Sequence, residues 1–533
     1  MAHTSETAFN FALAESLRNK HPLWRDSLHA EQTNVFQGHA GLRPDILFLA
    51  PGCQPLVVET EYEPANTVEN DAIGRLERVP VGSNDPVEQA IAVRIPIALG
   101  KDQGNLAELI ARAKFEYCVF TGSAKQHERW PSSGWLSGDI DALAQCAEHA
   151  MISQRLVKQG LDVLEDAVRS AAAAIGEAYA QGFVDIQYNL GRILCQVPGK
   201  QTNRMAATII ANALMFHSTI AGSHYIPSIW QIQNDPAQSV TRGLLDTWKR
   251  ILQEINYWPI FKVASDLLAQ MPAGADERVL NSLIGASEKL ALKGINTRHD
   301  LTGRLFQQMI ADRKFLATYY TLSTSAALLA ELGIGMLDRD WSDLDSYPKL
   351  RIADLSCGTG TLLSAAYHAV LARYRHAGGD DRKIHRKMIE NAMVAADIMP
   401  AATHLCAAQL SSAHPSVTYN ATRVYTMPYG AAGLGEGHRG LSIGSLDLIE
   451  DETSMSLFST GRCQAQGGGE ATEVPDIRLP HGSSDLVIMT PPFTRPGSDV
   501  DTDQPIPSFA GFDTSAEEQR LMSAELSRIR RGL

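Results

Sequence analysis

Hydrophobic spacing along the chain changes twice. From about residue 40 to 120, short apolar runs ("DILFLA", "PLVVETEY", "IAVRIPIAL" and "FEYCVFTG") are set apart by Gly, Pro and Asn, a rhythm that predicts strands joined by turns. The polar stretch "TGSAKQHERWPSSGWLSGD", residues 121–139, reads as a sheet edge or a linker. From about 140 to 300, apolar positions recur every three or four residues, in "DALAQCAEHAMISQRLVKQGLDVLEDAVRSAAAAIGEAYAQ" and "NRMAATIIANALMFHSTIAG". That period predicts packed helices, with the alanine-rich part as packing surface. Beyond about 300 the two patterns alternate. "LRIADLS" leads into a glycine turn and "TLLSAAYHAVLARYR", "MVAADIM" into "PAATHLCAAQLSSA", and "SSDLVIM" into a pair of prolines. Strand, loop and helix in succession imply a parallel sheet with right-handed crossovers, and place a ligand at the carboxyl ends of its strands.

These textures divide the chain into an α/β module over 1–140, a helical region over 141–295 and a second α/β region over 296–533. A length of 533 residues agrees with three or four domains at about 150 residues each. The formal net charge of -13 gives no diffuse attraction to nucleic acid, so contact with DNA would rest on local basic patches or on a partner subunit. Seven cysteines (Cys53, Cys118, Cys146, Cys195, Cys357, Cys406 and Cys463) form no CxxC pair and no zinc-like spacing with histidine. They read as reduced thiols of a cytoplasmic protein. The amino terminus lacks a basic start followed by an apolar core, and no unbroken apolar run approaches the roughly 20 residues that span a bilayer. Neither secretion nor membrane insertion is expected.

Candidate chemistry gathers in the last region. "ADLSCGTGTLL", residues 353–363, sets Asp354 at a strand end, Ser356 and Cys357 after it, Gly358 and Gly360 in a turn, and Thr361 at the start of a helix. Glycines let backbone approach a ligand closely, and an acid there accepts hydrogen bonds from a cationic or hydroxyl-bearing group. Leu363 stands where a dinucleotide fingerprint has its third glycine, which weighs against a nicotinamide or flavin. Cys357 reads as a small filler. The next strand ends in Asp397-Ile398, a carboxylate for two ribose hydroxyls beside an apolar side chain for a purine, although Asp397 could equally cap the helix that follows. In "DLVIMTPPFTRPG", residues 485–497, the prolines either stop a strand or stiffen a loop that carries an aromatic ring to a planar ligand.

Taken in order, these motifs resemble the adenine-N6 DNA methyltransferases related to the modification subunits of type I restriction systems, over roughly residues 296 to 510. The resemblance implies a Rossmann-like sheet that binds S-adenosylmethionine, and a place in a restriction-modification or phage-defence system. "KFLATYYTLSTSAALLAEL" would then bring Tyr319, Tyr320 and Thr321 to the methionine part of the cofactor. Asp354, Ser356, Cys357, Gly358, Gly360 and Thr361 would form its glycine loop, Asp397 and Ile398 would meet ribose and adenine, and Asp447 of "GSLDL" would lie near the adenine. The family's proline loop supplies acceptors for both hydrogens of the adenine amine as its nitrogen attacks the methyl sulfonium, and an aromatic residue stacks on the flipped base. Those roles fall on Thr490, Pro491, Pro492 and Phe493, with Thr490 standing where Asn, Asp or Ser is usual.

A second pattern lies near the amino terminus. "LRPDILFLAPGCQPLVVETEYE" places Asp45 after a proline and Glu59 and Glu61 on the next β-like run, and resembles the PD-(D/E)xK nucleases, whose paired acids bind magnesium. Glu31 could be a further ligand. Glu61 stands where the family has lysine, so Arg43 or Arg75 would have to supply the positive charge. An active nuclease, a degenerate nuclease-like domain and a merely solvated acidic strand face all remain open.

The chain ends about forty residues after the proline turn, short of the strands and the target-recognition region that complete such a methyltransferase. A truncated product, or a split enzyme completed by a further subunit, is therefore expected, with double-stranded DNA as the other partner. Two rival expectations stand beside the methyltransferase: a magnesium-dependent restriction endonuclease with a regulatory cofactor domain, and an inactive cofactor-binding scaffold.

Overall fold

The computed structural model describes residues 4–20, 24–39, 41–50, 53–101, 105–151, 154–194, 198–255, 257–292, 321, 323–419, 422–427, 429–430, 442–448, 464–466, 479–480, 482–490 and 515–532. The mixed α/β chain folds as two compact units, and the division between Gly160 and Leu161 falls inside one long helix.

In chain order the first unit holds helix α1 (Glu6–Lys20), strands β1 (Leu28–Ala30), β2 (Ile46–Phe48) and β3 (Leu56–Tyr62), helix α2 (Val68–Arg75), and strand β4 (Gln89–Ile95). Helices α3 (Ile97–Lys101) and α4 (Leu106–Arg112), strands β5 (Phe115–Gly122), β6 (His127–Trp130) and β7 (Leu136–Gly138), and helix α5 (Ile140–Ala150) follow. The strands run in the order β1-β2-β3-β4-β5-β6, and β7 also pairs with β5. Only β3 and β4 are parallel, joined through α2, and the rest pair antiparallel. Side chains alternate between two cores, as the period of a strand requires. Leu56, Val58, Ile91 and Val93 join one core with α1 and α5, while Val57, Ala90 and Ala92 join the other with α2.

The polar stretch 121–139 is the sheet's edge, where β6 and β7 pair in tandem with β5. Helix α5, which begins the helical pattern in sequence, packs on this sheet through Ile140, Leu143 and Ala147.

The helix that crosses the division is α6 (Gln154–Ala180), and from Leu161 onward it opens the helical layer of the second unit, with α7 (Asp185–Leu194), α8 (Lys200–His224), α9 (Ile229–Gln233), α10 (Val240–Glu254), α11 (Trp258–Ala269) and α12 (Ala275–Leu292). Its centre is α8, where every residue from Thr202 to His217 except Arg204 is buried. Among the described residues α8 alone is long and apolar enough to cross a membrane, and 78% of its most apolar window is packed inside the protein, as in a helix that is apolar on every side within a core. Trp248 of α10 donates its indole N–H to His217 Nδ1 at 3.1 Å, and His217 Nε2 meets the Pro227 carbonyl at 2.8 Å. Both ring nitrogens are engaged as in a neutral imidazole, and burial lowers the His217 pKa.

The α/β part follows with α13 (Ser323–Gly335), β8 (Ile352–Asp354), α14 (Thr361–His376), α15 (Asp381–Lys387) and β9 (Met393–Asp397). Then come α16 (Pro400–Ser412), β10 (Arg423–Thr426), β11 (Gln464–Gln466), β12 (Leu486–Val487) and α17 (Ala516–Gly532). The strand order is β11-β10-β9-β8-β12, with β12, β8, β9 and β10 parallel and β11 antiparallel at one edge. Chain order runs outward from β8 to β10 and then returns to β8's other side as β12. Such a reversal opens a crevice beyond the carboxyl ends of the strands. Helix α16 lies between this sheet and the helical layer, with the His404 and Asn212 side chains 3.4 Å apart across the contact.

Candidate functional site

Strand β8 ends at Asp354, and the chain turns at once toward β9. Cys357 N–H donates to the Ala396 carbonyl at 3.0 Å, Gly358 N–H to Asp397 Oδ2 at 3.0 Å, and Gly360 N–H back to the Cys357 carbonyl at 2.8 Å. Gly358 and Gly360 take left-handed backbone, at φ +51° and +89°, which glycine adopts without strain. Their surroundings differ. A Cβ at Gly360 would lie 2.7 Å from Cys406 Sγ and 3.1 Å from Cys406 Cα, whereas a Cβ at Gly358 would meet nothing within 4 Å among the described residues. Close packing under one glycine and space over the other make a cradle, and the buried Ser356 Oγ beside it has no hydrogen-bond partner among the described residues. Cys357 and Cys406 hydrogen-bond through their thiols, which with burial pushes Cys357 well above the ordinary thiol range. It is packing rather than a thiolate.

Asp397 serves two backbones at once. Its Oδ1 accepts Met399 N–H at 2.9 Å, which caps the turn into α16, while Oδ2 holds the glycine turn. Of the two readings left open by the sequence, the capping contact is the one observed, and a carboxylate has further lone pairs beyond these two bonds. Asp354 is 2% exposed and accepts one amide, Ser356 N–H at 3.2 Å. Burial pushes its carboxyl up to about 7, against the Ser356 amide and with help from the Asp397 charge. Burial likewise raises Asp397, opposed by the amides of Met399, Gly358 and Ile398. Two crowded carboxyl groups beside an open cradle suit a ligand that brings positive charge and hydroxyl donors.

Two further segments reach this end of the sheet. Thr490 leaves β12, and its hydroxyl lies 3.4 Å from that of Thr321, 169 positions earlier. On the other side, Gly444 presses on Ile398, since a Cβ there would lie 2.9 Å from Ile398 Cγ2. Asp447, three residues on, bonds to the Ser442 hydroxyl and faces Ile443 N–H at 3.3 Å. The structure thus brings Ile398 to the segment holding Asp447, and Thr321 to Thr490. Thr361 opens α14 directly after the glycine turn. Tyr319, Tyr320, Pro491, Pro492 and Phe493 lie outside the described residues. Gly444 was not singled out in the sequence, where its signal was only the glycine that opens "GSLDL".

In the first unit the acids expected to bind magnesium are engaged with protein groups. Glu59 makes a two-pronged pair with Arg75, with Nε at 2.6 Å and Nη2 at 3.4 Å. Asp45 Oδ2 accepts Thr60 N–H at 2.7 Å, and Glu61 Oε2 accepts the N–H groups of Thr67 and Val68 at 2.8 Å, at the amino end of α2. Glu31 pairs with Arg43 at 2.9 Å and takes a hydrogen bond from Asn10 Nδ2 at 2.9 Å. Among the described residues no group of three or more His, Cys, Asp or Glu is placed to hold a metal ion. Glu59 is thus held by an arginine, and one oxygen each of Asp45 and Glu61 by backbone amides. Two neighbours escaped the sequence reading: Glu6 and Asn10, both on α1. Asn10 stands on the buried stripe Phe9, Leu13, Ala14 and Leu17, and a polar residue there was the available signal.

No family model matches the chain, and no curated protein matches it. Among solved structures it is similar to the cryo-EM structure of a DrdV–DNA complex, with a TM-score of 0.36 and 11% identity over 77% of this chain and 36% of that one. The chain therefore spans about a third of that neighbour's length, and a likeness at this level carries no argument about activity.

Proposed function

We propose that the second unit binds S-adenosylmethionine and serves an adenine-N6 DNA methyltransferase of a restriction or phage-defence system, with duplex DNA and a further protein subunit as partners. The observation that carries this reading is one juxtaposition. The open glycine turn is tied to Asp397 at the ends of two neighbouring parallel strands, buried Asp354 lies beside it, and Thr490 leaves the strand on β8's other side. The donor set suits that cofactor: the acids answer an ammonium group and a ribose diol, the buried Ser356 Oγ has no partner among the described residues, and Gly358 leaves room. When bound, the cofactor supplies an electrophilic methyl group. The chain's own part is to hold the target: Thr490 Oγ accepts one amino hydrogen of adenine, which favours the developing tetrahedral nitrogen.

Calorimetry with S-adenosylmethionine and transfer of a labelled methyl group to adenine-containing duplex test this. Asp397→Ala is expected to weaken cofactor binding about tenfold or more, roughly 1.4 kcal/mol. Thr490→Ala is expected to keep binding and lose transfer. A wild-type chain that does not bind the cofactor, or an Asp397→Ala chain that binds it as well as wild type, would sink the proposal. The competing reading, a scaffold that binds cofactor without chemistry, is motivated by the short hydroxyl at Thr490 and is distinguished by binding without transfer.

A further inference from the structure

Glu6, Glu31, Asp45, Glu59 and Glu61 of the first unit lie close enough to influence one another's charge. Such a group usually needs a cation. Two are present among the described residues. Arg75 reaches from α2 across to β3, holds both oxygens of Glu59, and also donates to the Arg43 carbonyl at 3.1 Å. Arg43 closes on Glu31. The network continues through Asn10, whose Oδ1 accepts the Thr60 hydroxyl at 2.6 Å, to Thr60, whose amide and hydroxyl both face Asp45.

We infer that Arg75 and Arg43 stand in for the divalent cation, so that the first unit is a nuclease-like scaffold that holds its acids without metal and offers a phosphodiester no electrophile. Magnesium demands near-octahedral oxygen ligands at about 2.0–2.1 Å, and recruiting Glu59 would mean expelling a guanidinium whose side chain is only 13% exposed. Arginine keeps its proton, so this counter-charge is permanent. A phosphate approaching these acids meets repulsion, with no ion to bridge it.

The full-length chain tests this by thermal melting in EDTA and in millimolar magnesium or manganese chloride, with supercoiled plasmid as the cleavage probe. The expected result is an unchanged melting temperature and intact plasmid in both metals. A saturable rise in melting temperature that Asp45→Asn abolishes, or nicking that Asp45→Ala abolishes, would overturn the inference. In EDTA, Arg75→Ala is expected to melt well below Arg75→Lys, because lysine keeps the charge. Equal losses in the two variants would show that the charge is immaterial and would also overturn it. If Arg75→Ala does not fold, the wild-type metal titration decides.

Discussion

Replacing Asp354 with asparagine should stabilise the free protein and weaken cofactor binding. The side chain is 2% exposed, and burial pushes its carboxyl from 3.8 up to about 7. Because the folded-state value is the higher one, the folded state holds the extra proton between the two values. Stability is therefore greatest below about pH 4, falls as pH rises through 7, and levels off above it. A shift of about three units at 1.36 kcal/mol each makes ionised Asp354 cost about 4 kcal/mol at pH 8. Asparagine keeps the shape without the charge, so most of that cost should vanish at pH 8 and little should change near pH 4. Denaturant titrations of both proteins from pH 5 to 9 measure it. A cationic ligand needs the carboxylate, so wild-type affinity for S-adenosylmethionine should fall about tenfold from pH 8 to pH 6, with about half a proton released on binding at pH 7. Calorimetry in buffers of different ionisation enthalpy reads that proton. Equal stability slopes in the two proteins, together with no proton release, would refute the reasoning.

Two other substitutions test the packing around the site. Gly360→Ala should lower the melting temperature sharply, because the new methyl meets Cys406 and the backbone is left-handed, while Gly358→Ala should cost only about 1 kcal/mol in free protein, because it meets open space. A larger loss at Gly358 than at Gly360 would contradict the cradle. In the helical layer, Trp248→Ala should cost about 3–5 kcal/mol through a cavity and lose a hydrogen bond to His217, as read by urea unfolding.

Asp354 and Asp397 were legible in the sequence because each closes a short apolar run just before a turn. Their neighbours were not. Which strand lies beside which depends on crossovers, so nothing in "SSDLVIM" says that it returns to the far side of β8. The stretch 121–139 looked the same as edge or as linker, because Gly, Ser and polar residues serve both. The helical pattern of Ile140–Ala150 was visible, but an amphipathic helix does not name the sheet it covers. The Arg75–Glu59 pair spans a crossover connection, so spacing along the chain could only offer Arg75 as a candidate.

Helix α16 sets a limit on how this chain can be divided by experiment or by evolution. Its first residues follow Asp397 and Ile398, and eleven of its thirteen residues are buried, from Pro400 to Ser411. One side is covered by the sheet and another by α8 and α11. A fragment starting near residue 296 would strip that cover and leave a small-residue helix facing water where Asn212 had been. Gene fusions or deletions that exchange the helical region independently of the α/β part should therefore be selected against. Compensating substitutions are to be sought in pairs across this contact rather than within either part.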